Sequence, residues 1–396
     1  MSFIDFLPTK ILRPLAIIAA TLGLSACEPV AIGGGTAEVD PNAPVVVALM
    51  VPLGSGNSVT DQLAQNLVNA AKMAVGDVRG ANIELRVYET AADPATATIA
   101  ATRAIDEGAQ VILGPLFSSS TTAVAAVAGP KGINVLSFSN NPSVAGGNVF
   151  ILGTTFETVA NRLVSHSIGA GFNNVAIVHQ QGIEGELGRD AVTAAVARNG
   201  GILAATLSYP LVLEEMSEQA SIIADDLRAS GANAVFFTDS PLQGLGFMTA
   251  SLASNRYRTG RDAQFMGLTR WDTSDEVLNT PSLQSGWFTT PDPGLLLQFE
   301  TRYQLAYGIE AHGLSGLAYD GIAAIGAMIS AAKTTGDDNA FSMERLTDPN
   351  GFAGVTGVFR LRGNGTNERA LAIMQVDNGV ATMISSAPRS FGASGS

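Results

Sequence analysis

Cysteine and histidine are almost missing from this chain of 396 residues, which has one cysteine, Cys27, and three histidines, His166, His179 and His312. A single cysteine cannot close an internal disulfide. The histidines lie far apart with no second metal ligand at helical spacing, so each reads as a structural or surface residue and no metal site is expected. Charge is scarce as well, 14% of residues against a usual figure of about 25%. What charge there is runs negative, with 35 acidic against 22 basic residues and a net −13. That balance argues against nucleic acid or an anionic membrane surface as partner, since both call for clustered Lys and Arg. Catalytic signatures are absent too: there is no Gly-x-Ser-x-Gly elbow and no glycine-rich phosphate loop ending in Lys-Ser/Thr. Gly244-Leu-Gly246 is too bare for a dinucleotide fingerprint, and Glu214-Glu215 and Asp225-Asp226 read as solvated charge on polar helix faces. The expectation is a binding protein, not an enzyme, with no cofactor.

What is present begins at the amino terminus. Lys10 and Arg13 precede an uncharged apolar stretch, Leu15 to Leu24, too short for a helix that crosses a bilayer, which needs about 20 apolar residues. A basic region, a short apolar region and small residues form a secretory signal over residues 1–26. The stretch Leu24-Ser25-Ala26-Cys27 resembles the lipobox of bacterial lipoproteins, which implies cleavage before Cys27 and acylation of it. Each buried CH₂ of an acyl chain adds roughly 0.8 kcal/mol, so two or more chains anchor firmly. With Cys27 lipidated, no thiol remains for nucleophilic catalysis or metal binding. Removing the signal takes Asp5, Lys10 and Arg13 with it and leaves 20 basic and 34 acidic residues. Residues 27–44, with three consecutive glycines and several prolines, form a flexible tether, and 389–396 a loose tail.

Between tether and tail, short apolar runs alternate with helical patterns. Val45–Val51 is a Val-rich run expected of a strand buried on both faces. A helix is expected over Asp61–Val78, a strand over Ile83–Tyr88, and a helix from Asp93-Pro94, where the carboxylate caps and the ring presets the first turn. Val111–Pro115, Val135–Ser139, Val175–His179, Ile202–Leu207 and Ala234–Phe237 repeat the theme. Such alternation builds an α/β fold of parallel sheets covered on both faces, with ligands at the carboxyl ends of strands. Near the end, Phe359-Arg-Leu and Leu371–Val376 are expected to pair as a hairpin around Asn364-Gly365, with Val380–Ile384 as a further strand. No repeat of 20–50 residues is apparent, which argues against a solenoid.

Two polar clusters follow strand ends. Ser118-Ser119-Ser120-Thr121 opens a helix after Val111–Pro115, where free N–H groups and hydroxyls offer donors. Ser137-Phe-Ser139-Asn140-Asn141 follows the next strand. Together they would form one wall of a cleft suited to a carboxylate or amide. The alternative is that Ser118 merely caps its helix and Asn140-Asn141 turn the chain before Pro142.

Several motifs in order carry a resemblance. Tyr88-Glu-Thr-Ala-Ala-Asp93-Pro94, Val111-Ile-Leu-Gly-Pro115 with Ser118–Thr121, Ala176-Ile-Val-His179 followed by Gly185, Gln264-Phe-Met-Gly267, Leu317-Ala-Tyr-Asp320 and Gly354-Val-Thr-Gly357-Val-Phe-Arg are similar to the leucine-binding-type (type 1) periplasmic binding proteins. The similarity runs from about Val45 to Val376. It implies two doubly wound parallel-sheet lobes joined by three crossovers within residues 45–388. Lobe 1 would take about 45–153 and 291–340, and lobe 2 about 154–290 and 341–388. It also implies a ligand site at Ser118, Ser119, Ser139, Asn141, Glu184 and Thr269, and no catalysis. Ser118 matches the serine that holds the ligand carboxylate, and Asn141 stands where amino-acid binders carry Thr. Glu184 replaces an aromatic cover. Thr269 stands where branched-chain amino-acid binders carry the carboxylate that pairs with the ligand ammonium.

A second resemblance overlaps the first. Gly267-Leu-Thr-Arg270-Trp271-Asp272, Leu371-Ala-Ile-Met-Gln-Val376 and the lipobox resemble the lipoprotein activators of penicillin-binding proteins, which share the fold. The reading leans to such an activator of cell-wall synthesis, with a penicillin-binding protein as partner. The alternative is the substrate-binding lipoprotein of an ABC importer for amino acids or similar small polar solutes, with an ABC permease as partner. Glu28, where an inner-membrane lipoprotein would carry Asp, sends the anchor to the outer membrane.

Overall fold

The computed structural model describes residues 39–241 and 243–391. Cys27, the signal segment, most of the tether and the last residues of the tail lie outside them.

The first sheet is wholly parallel. Its strands β1 (Val45–Val51), β2 (Ile83–Glu89), β3 (Val111–Leu113), β4 (Asn134–Ser137) and β5 (Val149–Ile151) lie in the order β2-β1-β3-β4-β5. Helices α1 (Ser58–Asp77), α2 (Pro94–Asp106) and α3 (Ser118–Ala128) connect them. The Val-rich run of β1 serves two cores at once because successive side chains leave opposite faces. Val45, Val47, Leu49 and Val51 enter the layer that holds α1. Ala48 and Met50 enter the layer that holds the alanines of α2. Helix α1 starts three residues before the expected Asp61, because the Asn57 side chain accepts hydrogen bonds from the Val59 and Thr60 amides and caps it there.

The second sheet is mixed. The chain continues through α4 (Phe156–Gly169), β6 (Asn174–Gln180), α5 (Ile183–Asn199), β7 (Ile202–Tyr209), α6 (Leu213–Ser230), β8 (Ala234–Phe237), α7 (Leu245–Ser254), β9 (Gln264–Gly267), α8 (Asp275–Leu278) and β10 (Trp287–Thr290). It then forms α9 (Pro293–Tyr307), α10 (Ser315–Thr335), α11 (Met343–Leu346), β11 (Phe352–Gly354), β12 (Gly357–Leu361), β13 (Asn367–Arg369), β14 (Ala372–Asp377) and β15 (Val380–Ser385). Strands β7, β6, β8, β9 and β10 run parallel, and β14 and β15 add antiparallel at the β10 edge. Both faces are again buried, one by α6 and α7, the other by α4 and α5.

The chain passes between the sheets three times. After β5 it leaves the first sheet for α4, whose Ala160 and Leu163 pack on the second. After β10 it returns, and Phe299, Tyr303 and most of α10 fill the first core. Helix α10 is long and apolar enough to cross a membrane by composition, but 72% of its apolar window is buried inside the protein.

Two expectations change here. Lobe 2 was to resume at residue 341, yet Phe341, Leu346, Phe352, Phe359 and Leu361 belong to the first core, so the final passage comes after β13. The turn at Asn364-Gly365 joins β12 to β13, pairing Phe359 with Arg369, and not to Leu371–Val376. That later run is drawn away because an antiparallel place is open beside β10, with Phe288 opposite Met374.

Candidate functional site: a cleft between the two sheets

The carboxyl ends of β3, β4, β9 and β10 line a cavity of ≈ 630 Å³ together with the passages between the lobes. That is a size typical of small-molecule sites. Leu63, Leu116, Phe138, Phe156, Leu268 and Leu317 make much of its surface apolar. The polar groups are few: Ser118, Ser139, Asn140, Thr154, Thr269, Thr289, Thr290, Thr356 and two guanidiniums, Arg270 and Arg369. Among the described residues that line it there is no carboxylate.

The first-lobe wall is a ladder of hydroxyls. Ser118 Oγ lies 3.1 Å from Ser139 Oγ, and Thr121 Oγ1 lies 2.8 Å from Ser137 Oγ. The Ser137 hydroxyl accepts from the Ser139 amide at 3.1 Å and donates to the Pro115 carbonyl at 2.8 Å. Helix α3 opens here with no side chain capping it. Ser118 therefore does not cap its own helix, and the first N–H groups and dipole of α3 stay available to an anion. Asn141 follows the alternative reading instead: its side chain accepts from the Ser143 amide at 2.9 Å and turns the chain at Pro142, while Asn140 lines the cavity. Ser119 is on the exposed side of the first turn of α3 and does not line the cavity.

The second-lobe wall is built differently. Thr269 lines the cavity, but its hydroxyl donates to the Asp239 carbonyl at 3.2 Å. Behind it the Asp239 carboxyl is fully buried and accepts from the Tyr209 hydroxyl. Burial, with the charge of Glu184 adding to it, outweighs the hydrogen bond from Tyr209 and holds Asp239 above the ordinary carboxylate range. Burial, then the neighbouring Asp239, pushes the Tyr209 hydroxyl well up. Glu184 itself is exposed near the start of α5, accepts from Gln243 at 3.3 Å and stays outside the cavity. Arg270 is held by both oxygens of Asp272, at 2.8 and 2.9 Å. Burial works against this cation, but the Asp272 carboxylate and the charge of Glu300 more than compensate. Trp271 anchors the segment, fully buried against Gly267 and Gly286, where any Cβ would collide with the indole.

The passages between the lobes are tied by one buried ion pair. Asp320, on α10, meets Arg369 Nη1 at 2.9 Å and accepts from the Val355 amide at 2.8 Å and from the Thr356 hydroxyl. Arg369 Nε donates to the Leu152 carbonyl at 2.7 Å. Gly354 must be glycine because a Cβ there would overlap the Asp320 carboxylate. One cluster thus joins the first passage, α10 and β13.

Of the site residues expected from sequence, the structure brings Ser118, Ser139 and Thr269 to the cavity and leaves Ser119, Asn141 and Glu184 off it. Asn140, named in the polar cluster after β4 but not among the expected ligand residues, also lines the cavity, and sequence reasoning missed Arg270 and Arg369. Arg270 lay inside a motif already singled out, whereas nothing around Arg369 in the sequence sets it apart.

The family model described as periplasmic binding protein matches residues 44–381. No curated protein matches the sequence significantly. Among solved structures, a branched chain amino acid ABC transporter periplasmic ligand-binding protein from Burkholderia xenovorans LB400 superposes with a TM-score of 0.67 at 13% identity, covering 88% of this chain and 96% of that one. An ABC transporter substrate-binding protein from Desulfitobacterium hafniense in complex with Leu has a TM-score of 0.63 at 16% identity, covering 86% and 100%. A solute-binding protein of an ABC transporter from R. palustris in complex with benzoate has a TM-score of 0.56 at 16% identity, covering 88% and 97%. At these identities the likeness is one of fold.

Proposed function

The chain belongs to the periplasmic binding protein family, and on that premise we propose that it is the substrate-binding component of an ABC importer for a small carboxylate that has an apolar body and no ammonium group. The single observation that carries the ligand class is a cleft with two guanidiniums and no carboxylate among its lining residues. Ser118, Ser139 and the uncapped start of α3 supply neutral donors to one end of such a ligand, and Arg270 supplies positive charge. An α-amino acid would have to bury its ammonium without a counter-charge, which costs several kcal/mol. The partner is a permease. The activator role toward which the sequence leans draws nothing from these structural relatives, all ABC-transporter proteins.

The decisive experiment is calorimetry with leucine and with 4-methylpentanoate, which keeps the carbon skeleton and lacks the ammonium. The carboxylate is expected to bind at least about tenfold tighter, or 1.4 kcal/mol. Tighter binding of leucine would overturn the ligand class. Anchorage through Cys27 on the periplasmic face completes the proposal, and membrane fractionation tests its role. Import requires a pool within reach of the inner membrane, whereas protein confined to the outer membrane, as Glu28 would direct, favours the activator.

A further inference from the structure

A second cavity, of ≈ 330 Å³, opens beside the passages between the lobes, among α4, the end of α5, β12, β13 and the chain near Pro388. Five arginines line it, Arg162, Arg198, Arg360, Arg362 and Arg369, against two carboxylates, Glu157 and Glu368. The whole chain has only 22 basic residues and a net charge of −13. Local charge here is therefore opposite in sign to that of the molecule, and holding like charges together needs compensation.

The carboxylates present supply only part of it. Glu368 takes Arg360 at 2.7 Å and Arg362 at 3.0 Å, and Glu157 takes Arg198 at 3.1 Å and the far side of Arg362 at 3.8 Å. Burial alone would raise Glu368, but the two guanidiniums hold it below its ordinary value. Among the described residues Arg162 has no carboxylate partner. Its Nε donates to the Leu371 carbonyl at 2.8 Å and its Nη2 to Ser385 Oγ at 2.7 Å and the Ser386 carbonyl at 3.1 Å. Arg369 is only 6% exposed, and its Nη2 has no hydrogen-bond partner. Arg369 has its counter-charge in Asp320 at 2.9 Å, so among the described residues it is Arg162 whose half-buried charge has no carboxylate partner, and such a guanidinium beside four more arginines points to a missing anion.

We propose that this cavity is a binding site for a small multivalent oxyanion, separate from the cleft. Guanidinium forks match the oxygen spacing of phosphate and carboxylate and hold them by paired charge-assisted bonds. The occupant would bridge α4 of the second lobe to β12 and β13, and so brace the last passage between the lobes.

The test is calorimetric titration of the full-length protein with inorganic phosphate and with citrate, against chloride at matched ionic strength. One or both polyanions are expected to bind saturably and to raise the thermal midpoint, while chloride does neither. A response to phosphate alone names a phosphate group as the occupant, and a response to citrate alone names a polycarboxylate. Arg162→Met is expected to weaken binding about tenfold or more. Arg198→Gln, at the rim and away from the lobe contacts of Arg162, should weaken it in the same direction in a protein that folds normally. Arg270→Ala, in the cleft, should leave it unchanged. The proposal is overturned by absence of saturable binding, by binding that survives both rim and interior substitutions, or by binding lost in Arg270→Ala. None of these outcomes bears on whether the cleft takes a carboxylate solute.

Discussion

In the first lobe, the polar groups at the strand ends bond to one another across the cleft wall; in the second, they bond backwards into their own lobe. Ser118 and Ser139 meet at 3.1 Å beside an uncapped helix start, so their hydroxyls and the α3 amides face outward as one neutral donor surface. At the matching place in the second lobe, the Thr269 hydroxyl is committed to the Asp239 carbonyl and Arg270 to Asp272. The same sheet geometry therefore yields two different walls. One can grip an anion with dipoles that need no reorganisation, and the other presents a positive charge held in a fixed orientation. Thr269 brings no charge to the second wall, and of the acids nearby Asp239 lies behind the wall, Glu184 outside the cavity, and Asp272 is paired with Arg270.

The largest effect is expected where both walls depend on one contact. Arg369→Ala leaves Asp320 buried without its cation, and loss of one partner of such a pair costs about 3–5 kcal/mol. Urea unfolding should show that loss. A change below about 1 kcal/mol would mean that the ion pair does not tie the passages together.

Thr269→Glu sharpens the contrast by giving the second wall the carboxylate it lacks. Leucine affinity should rise about tenfold or more, through a charge-assisted bond to the ammonium, and 4-methylpentanoate affinity should fall. If both ligands respond alike, the second wall does not discriminate by charge.

Ser118→Ala tests the first wall. It should weaken carboxylate binding by about 1 kcal/mol, the usual worth of a hydrogen bond, while Ser119→Ala, on the exposed side of the same turn, should change nothing. Equal losses from the two would dissolve the hydroxyl wall as a functional unit.

The smallest effect concerns the acid behind the second wall. Because Asp239 is held above its ordinary value, the native state binds its proton more tightly than the unfolded chain does. Its contribution to stability is complete below the ordinary aspartate value and is lost as pH rises through the shifted one. Asp239→Asn should keep the bond from Tyr209 and remove this dependence. The variant should match the parent in acid and exceed it at neutral pH by less than about 1 kcal/mol. A variant that matches the parent in acid but is less stable at neutral pH would show that the ionised carboxylate is needed.

The parts of this protein that could be read from the sequence are those governed by neighbours in the chain. The Val-rich run of β1, the Asp93-Pro94 start of α2 and the Ala234–Phe237 strand all stand where periodicity and capping place them, because both are local. The serine run at the start of α3 was legible as donors for the same reason. What could not be read depended on which open edge a segment found. Leu371–Val376 has the apolar pattern of a hairpin strand, but the vacant side of β10 claimed it, a competition decided by residues as far apart as Trp287 and Gln375, 88 positions.

The sequence by itself determined that strands and helices alternate, that both sheets are buried on two faces, and that hydroxyls cluster after β3 and β4. Those follow from side-chain period, residue size and capping chemistry, all set within a few positions. Only the tertiary structure decided that Asn140 and not Asn141 meets the cleft, since the Asn141 side chain is taken up in capping the short helical turn Pro142–Val144. It alone decided that Arg369 pairs with Asp320, 49 residues away, and reaches both cavities. A buried charge takes its meaning from the partner that folding brings to it, and that partner leaves no mark on the neighbouring sequence.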